Sequence, residues 1–314
     1  MIDEQMTAQR QSLQTDDGHR ILIDSWPVRE AKALVHVLHG LAEHPARYER
    51  FARHCNARKI AVAAHSHRGH GENCPANELG HFADEDGWNE VIADAAQVQR
   101  HLRSQLPDTP IVLLGHSMGS YIAQSFMIRG EGSASALILS ASSFNSRLQL
   151  RLGRWLAAIE SIRSGKKGKS AILDKMGFGA FNKAFSPNRT AFDWLSRDPD
   201  EVDKYVADPL CGADSSNRLW FDLTGGLLEV STSKALQKIR NDLPILITGG
   251  ADDPASGQKG LTRLSQKYIG TGHNRVTLKI YPQGRHEMLN EINRDRFSED
   301  LTQWMLSAVV TQTE

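Results

Sequence analysis

The sequence predicts an α/β protein with a mostly parallel central sheet flanked by helices and an inserted helical cap. Three observations carry that expectation. Short apolar runs at 33–38, 60–64, 111–114 and 136–139 alternate with helical stretches, and such alternation calls for parallel strands with helices on both faces. The rhythm stops near Asn145 and resumes at Leu243. Between the third run and its helix sits Gly115-His116-Ser117-Met118-Gly119, a strand-to-helix turn of the Gly-x-Ser-x-Gly kind.

The elements follow in order. Residues 14–19, with Asp17-Gly18 among them, join two short strand-like segments, so an N-terminal hairpin is expected. The run 33–38 reads as the first fully buried strand and leads into residues 39–44. Arg47-Tyr48 then begins a helix ending near Ala57. After the strand at 60–64 come His67-Arg68-Gly69-His70-Gly71. Gly87-Trp88 opens a long helix with Val91, Ile92, Ala95, Val98 and Leu102 on one face. The later elements are a strand at 243–248, a helix to about Tyr268, a strand at 275–280 and a final helix through Trp304. The expected organisation is therefore a core over 1–144, a helical cap over 145–240 and the rest of the core over 241–314. The chain of 314 residues is long enough for that arrangement.

Within the cap, Leu148, Leu152, Trp155, Leu156, Ile159 and Ile162 fall on one helical stripe. Core packing is the ordinary role of such a stripe. Beside the basic, glycine-rich stretch 163–169 it is also a candidate entrance for an amphiphilic acyl substrate.

A serine on a strained strand-to-helix turn projects its hydroxyl at the carboxyl edge of the sheet and needs a base and a group that orients the base. Those partners should follow later strands in the order serine, acid, histidine. After the strand at 243–248 come Asp252-Asp253-Pro254, and after the strand at 275–280 comes His286. Asp253 is read as the acid, because Pro254 stiffens the backbone behind it, with Asp252 as the alternative. The oxyanion hole needs two backbone donors, expected at the N–H groups of Met118 and Leu41.

Composition excludes several classes. Lys plus Arg equals Asp plus Glu at 37 each, so no global field draws in nucleic acid. Three scattered cysteines form neither a disulfide framework nor a zinc pattern. Eight of the thirteen histidines crowd between His36 and His81, but no spaced carboxylate or cysteine set completes a catalytic zinc site among them. No metal and no cofactor are expected. With no apolar h-region at Met1-Ile2-Asp3-Glu4-Gln5 and no membrane-length apolar run, a cytoplasmic protein is expected.

These motifs together resemble the monoacylglycerol lipase/lysophospholipase group of α/β-hydrolases. Residues 39–48 are similar to its HGxxEHxxRY loop, 68–71 to its RGHG turn, 115–119 to its GHSMG elbow and 285–287 to its RHE segment. Ser66 stands two residues before Arg68, where that group usually carries aspartate. The stretches 192–198 and 208–212 resemble its bacterial members. The resemblance implies a serine hydrolase that cleaves lipid-type carboxylic esters through an acyl-enzyme, taking a small-molecule ester or lipid with at most peripheral membrane contact through the cap. The alternatives are a proline iminopeptidase-like serine peptidase, with Asp193, Asp198, Asp200 and Glu201 as its acidic cluster, and a non-catalytic small-molecule binder on the same scaffold.

Overall fold

A computed structural model describes residues 7–177 and 179–310; the N-terminal pentapeptide read above lies outside them. The hairpin expected at the start is present: β1 (Gln9–Gln14) pairs antiparallel with β2 (Arg20–Trp26) across the Asp17-Gly18 turn. Then follow β3 (Ala33–Leu38), α1 (Glu49–Asn56), β4 (Ile60–His65), α2 (Gly87–Gln105), β5 (Ile111–His116), α3 (Met118–Arg129) and β6 (Ala136–Ser140). Between β6 and the next strand come α4 (Arg147–Ser164), α5 (Ala171–Gly177), α6 (Pro199–Ala207), α7 (Asn217–Val230) and α8 (Ser233–Leu236). The chain closes with β7 (Ile245–Gly250), α9 (Gly257–Gly270), β8 (Val276–Tyr281) and α10 (Arg294–Val310).

The eight strands lie in the order β1-β2-β4-β3-β5-β6-β7-β8. From β4 to β8 every pairing is parallel, while β1 and β2 run antiparallel at one edge. Every residue of β3, β4, β5, β6 and β7 is buried, which is why these strands read as unbroken apolar runs. One face packs against α2, α3 and α9 through residues such as Val91, Ile122, Phe126 and Leu264. The other packs against α1 and α10 through Phe51, Phe297 and Leu301. Gly130, at φ 70°, caps α3 in the left-handed region.

Five of the crowded histidines form a buried seam along the ends of β3 and β4. His36 Nε2 lies 3.1 Å from His65 Nδ1, and the rings of His65 and His67, His39 and His67, and His39 and His70 are packed 4.8, 4.1 and 5.3 Å apart. The turn after β4 is held by Arg68, whose guanidinium forks between Asp94 and Asp17. Ser66, the departure noted above, sits under Gly71: a Cβ on that glycine, at φ +76°, would lie 2.3 Å from Ser66 Oγ.

The α4 stripe does not pack into a core. Leu148, Leu152, Trp155 and Ile162 are exposed, Ile162 at 87%, and Leu156 is half-buried. The reason lies on the opposite face of the helix. There the buried Ala157 and Glu160 and the small Gly153 meet α7, with Asn217 Nδ2 donating to the Glu160 carbonyl at 3.1 Å. Small residues let the two helices approach closely, and the large apolar side chains are left facing outward. Accordingly, Ile162→Ser should change the unfolding free energy by no more than about 0.5 kcal/mol. Phe126→Ala, in the fully buried face of α3, should cost about 3–5 kcal/mol, both measured by urea titration.

Candidate active site

The elbow is built by close packing. Ser117, between β5 and α3, sits at φ 50°, ψ −118°, a conformation an L-residue holds only at a cost of about 1–3 kcal/mol. Its two glycines are dictated by contact: a Cβ on Gly119 would fall 1.9 Å from the Leu38 carbonyl oxygen, and one on Gly115 2.3 Å from the Gly119 carbonyl oxygen. The Ser117 N–H donates to the Ser140 carbonyl at 2.9 Å, and Ser120 N–H and Oγ both donate to the Ser117 carbonyl. The end of β6 and the first turn of α3 thus hold the serine from both sides. Met118 is the first residue of α3, so its N–H belongs to the group of helix donors without an intrahelical acceptor.

The loops after β7 and β8 bring Asp253 and His286 together. His286 Nδ1 lies 3.0 Å from Asp253 Oδ1, and both residues are about 96% buried. Asp253 also accepts from Ala255 N–H at 2.9 Å and from the Ser256 hydroxyl. Asp252 is exposed and uses its own N–H on the Gly284 carbonyl; of the two adjacent acids, Asp253 faces the histidine. Burial disfavours charge on both members of the pair. Their mutual attraction outweighs it, holding the Asp253 carboxyl below its ordinary range and raising the His286 imidazole above 6.5. Trp194 stacks against the His286 ring with centroids 4.8 Å apart, and His116 lies on it at 5.0 Å.

Leu41 lies in the loop after β3. That loop is tightly braced: Gly40 N–H and the Tyr48 hydroxyl both donate to Glu43 Oε1. Ala42 adopts φ 57° while its carbonyl accepts from Tyr205 Oη and Gly212 N–H, each at 2.9 Å. Ser117, Leu41 and His286 line one cavity of about 460 Å³, whose wall includes Phe192, Trp194, Leu195 and Tyr205 beside Asn182, Asn188 and Lys183.

Arg47 and Glu287 stand within the sequence motifs, which assign them no partner. In the structure Arg47 donates two hydrogen bonds of 2.6 Å to Glu287 and one of 2.8 Å to Glu43, joining the β3 loop to the residue after His286. The partners are 240 positions apart, so no local pattern could have paired them.

The family described as "Serine aminopeptidase, S33" matches residues 29–293. The chain belongs to that family. This S33-family chain is 27% identical to a monoacylglycerol lipase of Mycolicibacterium smegmatis, over 92% of the chain and 94% of that protein. It is 28% identical to the human monoglyceride lipase, over 94% and 89%. A carboxyl esterase from Bacillus coagulans, solved in complex with glycerol, superposes with a TM-score of 0.87 at 26% identity, covering 97% of this chain and 99% of that one. The fold is that of the α/β-hydrolases.

Burial alone would raise the Glu287 carboxyl, but the Arg47 guanidinium holds it well below the ordinary carboxylate range, to about 2. A depressed folded-state value means stability that is present above pH 5 and lost as pH falls through 4 toward 2. Arg47→Ala should therefore destabilise the protein by about 3–5 kcal/mol at pH 7, because a buried carboxylate loses its partner. The gap from wild type should narrow as pH is lowered, read by denaturant titration between pH 7 and pH 4.

Proposed function

We propose that this protein hydrolyses carboxylic esters of lipid type, monoacylglycerols or lysophospholipids, through an acyl-enzyme formed on Ser117. The observation that carries the reading is the Asp253–His286 hydrogen bond in the wall of the cavity that Ser117 also lines, at a strained elbow. His286 takes the Ser117 proton as the oxygen attacks the ester carbonyl. Asp253 keeps the imidazole oriented and stabilises its charged form. The N–H groups of Leu41 and Met118 receive the negative charge that develops on the carbonyl oxygen. Collapse of that intermediate passes the proton from His286 to the departing alcohol. Water, deprotonated by His286, then attacks the acyl-enzyme and releases the carboxylic acid and the free serine.

Lipid esters fit the mixed apolar and polar lining of the cavity, and the named relatives are monoacylglycerol and monoglyceride lipases. The four acids named above for a peptidase lie away from the cavity. Asp193 accepts from Arg189 and Thr190, Asp198 pairs with Arg294 and Glu201 with Arg50. None of these, nor Asp200, lines the cavity. No described helix is long and apolar enough to cross a membrane. The outward stripe of α4, followed by Lys166, Lys167 and Lys169, supports peripheral contact with a lipid surface. The free cysteines fit a cytoplasmic location.

Ser117→Ala should lower p-nitrophenyl ester and monoacylglycerol turnover by about 10⁴-fold or more and remove fluorophosphonate labelling. Asp253→Asn should be severely impaired and Asp252→Asn near wild type. In the wild type kcat/KM should fall on the acid side with an apparent pKa above 6.5, since a protonated His286 cannot accept the serine proton. Unchanged turnover in Ser117→Ala, or faster cleavage of prolyl anilides than of esters, would overturn the reading. For the surface contact, a Leu148→Ser, Trp155→Ser, Ile162→Ser triple variant should lose co-sedimentation with phosphatidylglycerol vesicles while keeping its rate on a soluble short-chain ester.

A further inference from the structure

We infer that His44, Asp208 and Cys211 form a binding site for a zinc-class divalent cation, placed between the β3 loop and the segment after α6. A ring nitrogen of His44, an Asp208 carboxylate oxygen and Cys211 Sγ all lie within 4.8 Å of one another, and His44 Nε2 is 2.7 Å from Asp208 Oδ2. Zinc holds imidazole nitrogen, carboxylate oxygen and thiolate sulfur at about 2.0–2.3 Å, so donors sharing one ion stand roughly 3.2–3.7 Å apart. The trio reaches that geometry by opening the His44–Asp208 contact and drawing in the sulfur, each a sub-ångström to ångström adjustment.

Three features of the surroundings favour a cation here. The first is the donor set. One nitrogen, one oxygen and one sulfur suit a borderline-soft ion such as Zn²⁺, whereas Ca²⁺ and Mg²⁺ demand oxygen ligands throughout. The second is charge: Asp208 brings a carboxylate to the site itself, while the nearby Glu43 and Glu287 carboxylates are held by Arg47. The third is rigidity. The Asp208–Gly212 turn is closed by the bond from Cys211 N–H to the Asp208 carbonyl, and anchored where Gly212 N–H donates to the Ala42 carbonyl. His44 is mostly buried and Asp208 partly open to solvent, which leaves the fourth coordination position for water.

The site is distinct from the Ser117 cavity. None of its three residues lines that cavity, although their neighbours Ala42, Glu43 and Gly212 do. An ion bound there would cross-link the cap segment to the loop that carries Leu41. On binding, the Cys211 thiol gives its proton to solvent and the sulfur bonds to the metal as thiolate.

The test is to treat the full-length protein with a chelator under reducing conditions and titrate it with Co²⁺, followed by Zn²⁺. A thiolate-to-cobalt charge-transfer band should grow to one equivalent, be displaced by Zn²⁺, and be accompanied by a rise in Tm. Cys211→Ser should lose the band, and His44→Ala and Asp208→Asn should weaken Co²⁺ binding by at least about tenfold. Absence of the band from the wild type, or its survival in Cys211→Ser through Cys55 or Cys74, would overturn the site. Should Cys211→Ser fail to fold, unweakened Co²⁺ binding by Asp208→Asn would overturn it equally.

Discussion

Gly119 meets the Leu38 carbonyl so closely that no Cβ fits between them, and the candidate site is arranged around that contact. It presses the start of α3 onto the end of β3 and so forces the chain to turn within one residue, at Ser117. The strained φ of the serine is held there by the strands on either side, Leu38 opposite Gly115 and His116 opposite Ser140. The same contact places the loop after β3 beside the serine, so Leu41 and the candidate nucleophile share a wall of one cavity.

The braces around this contact are polar and buried. Glu43 gathers the Gly40 amide, the Tyr48 hydroxyl and Arg47, and Arg47 reaches across to Glu287. Removing one member leaves the others charged in a low-dielectric setting, so the network behaves as a unit. It couples the β3 loop to the residue after His286.

Legibility in the sequence followed burial. The strands β3 to β7 are covered on both faces, so their apolar runs were unambiguous, and the Asp17-Gly18 hairpin declared itself by local chemistry. That Ser117, Asp253 and His286 would sit at strand ends around one cavity was legible, because each follows a strand and their chain order is constrained. The outward direction of the α4 stripe was not, since periodicity shows that a helix has an apolar face but not what lies opposite. Small residues on the other face, Gly153 and Ala157, were the available sign. The Arg47–Glu287 pair and the His44–Asp208 contact, 164 positions apart, exist only after folding.

The seam of buried histidines carries a consequence for the proton balance of folding. His36, His39, His65, His67 and His70 are all driven toward the neutral form by burial, His36 to about 3 and His70 to about 4. In the unfolded chain each regains an ordinary imidazole and takes up a proton below about pH 6.5. Unfolding below that pH therefore consumes protons from the medium, and mild acid acts as a ligand for the unfolded chain. A protein with no net charge at neutrality is in this way poised to open into a strongly cationic coil, with the driving force stored in its most deeply buried rings.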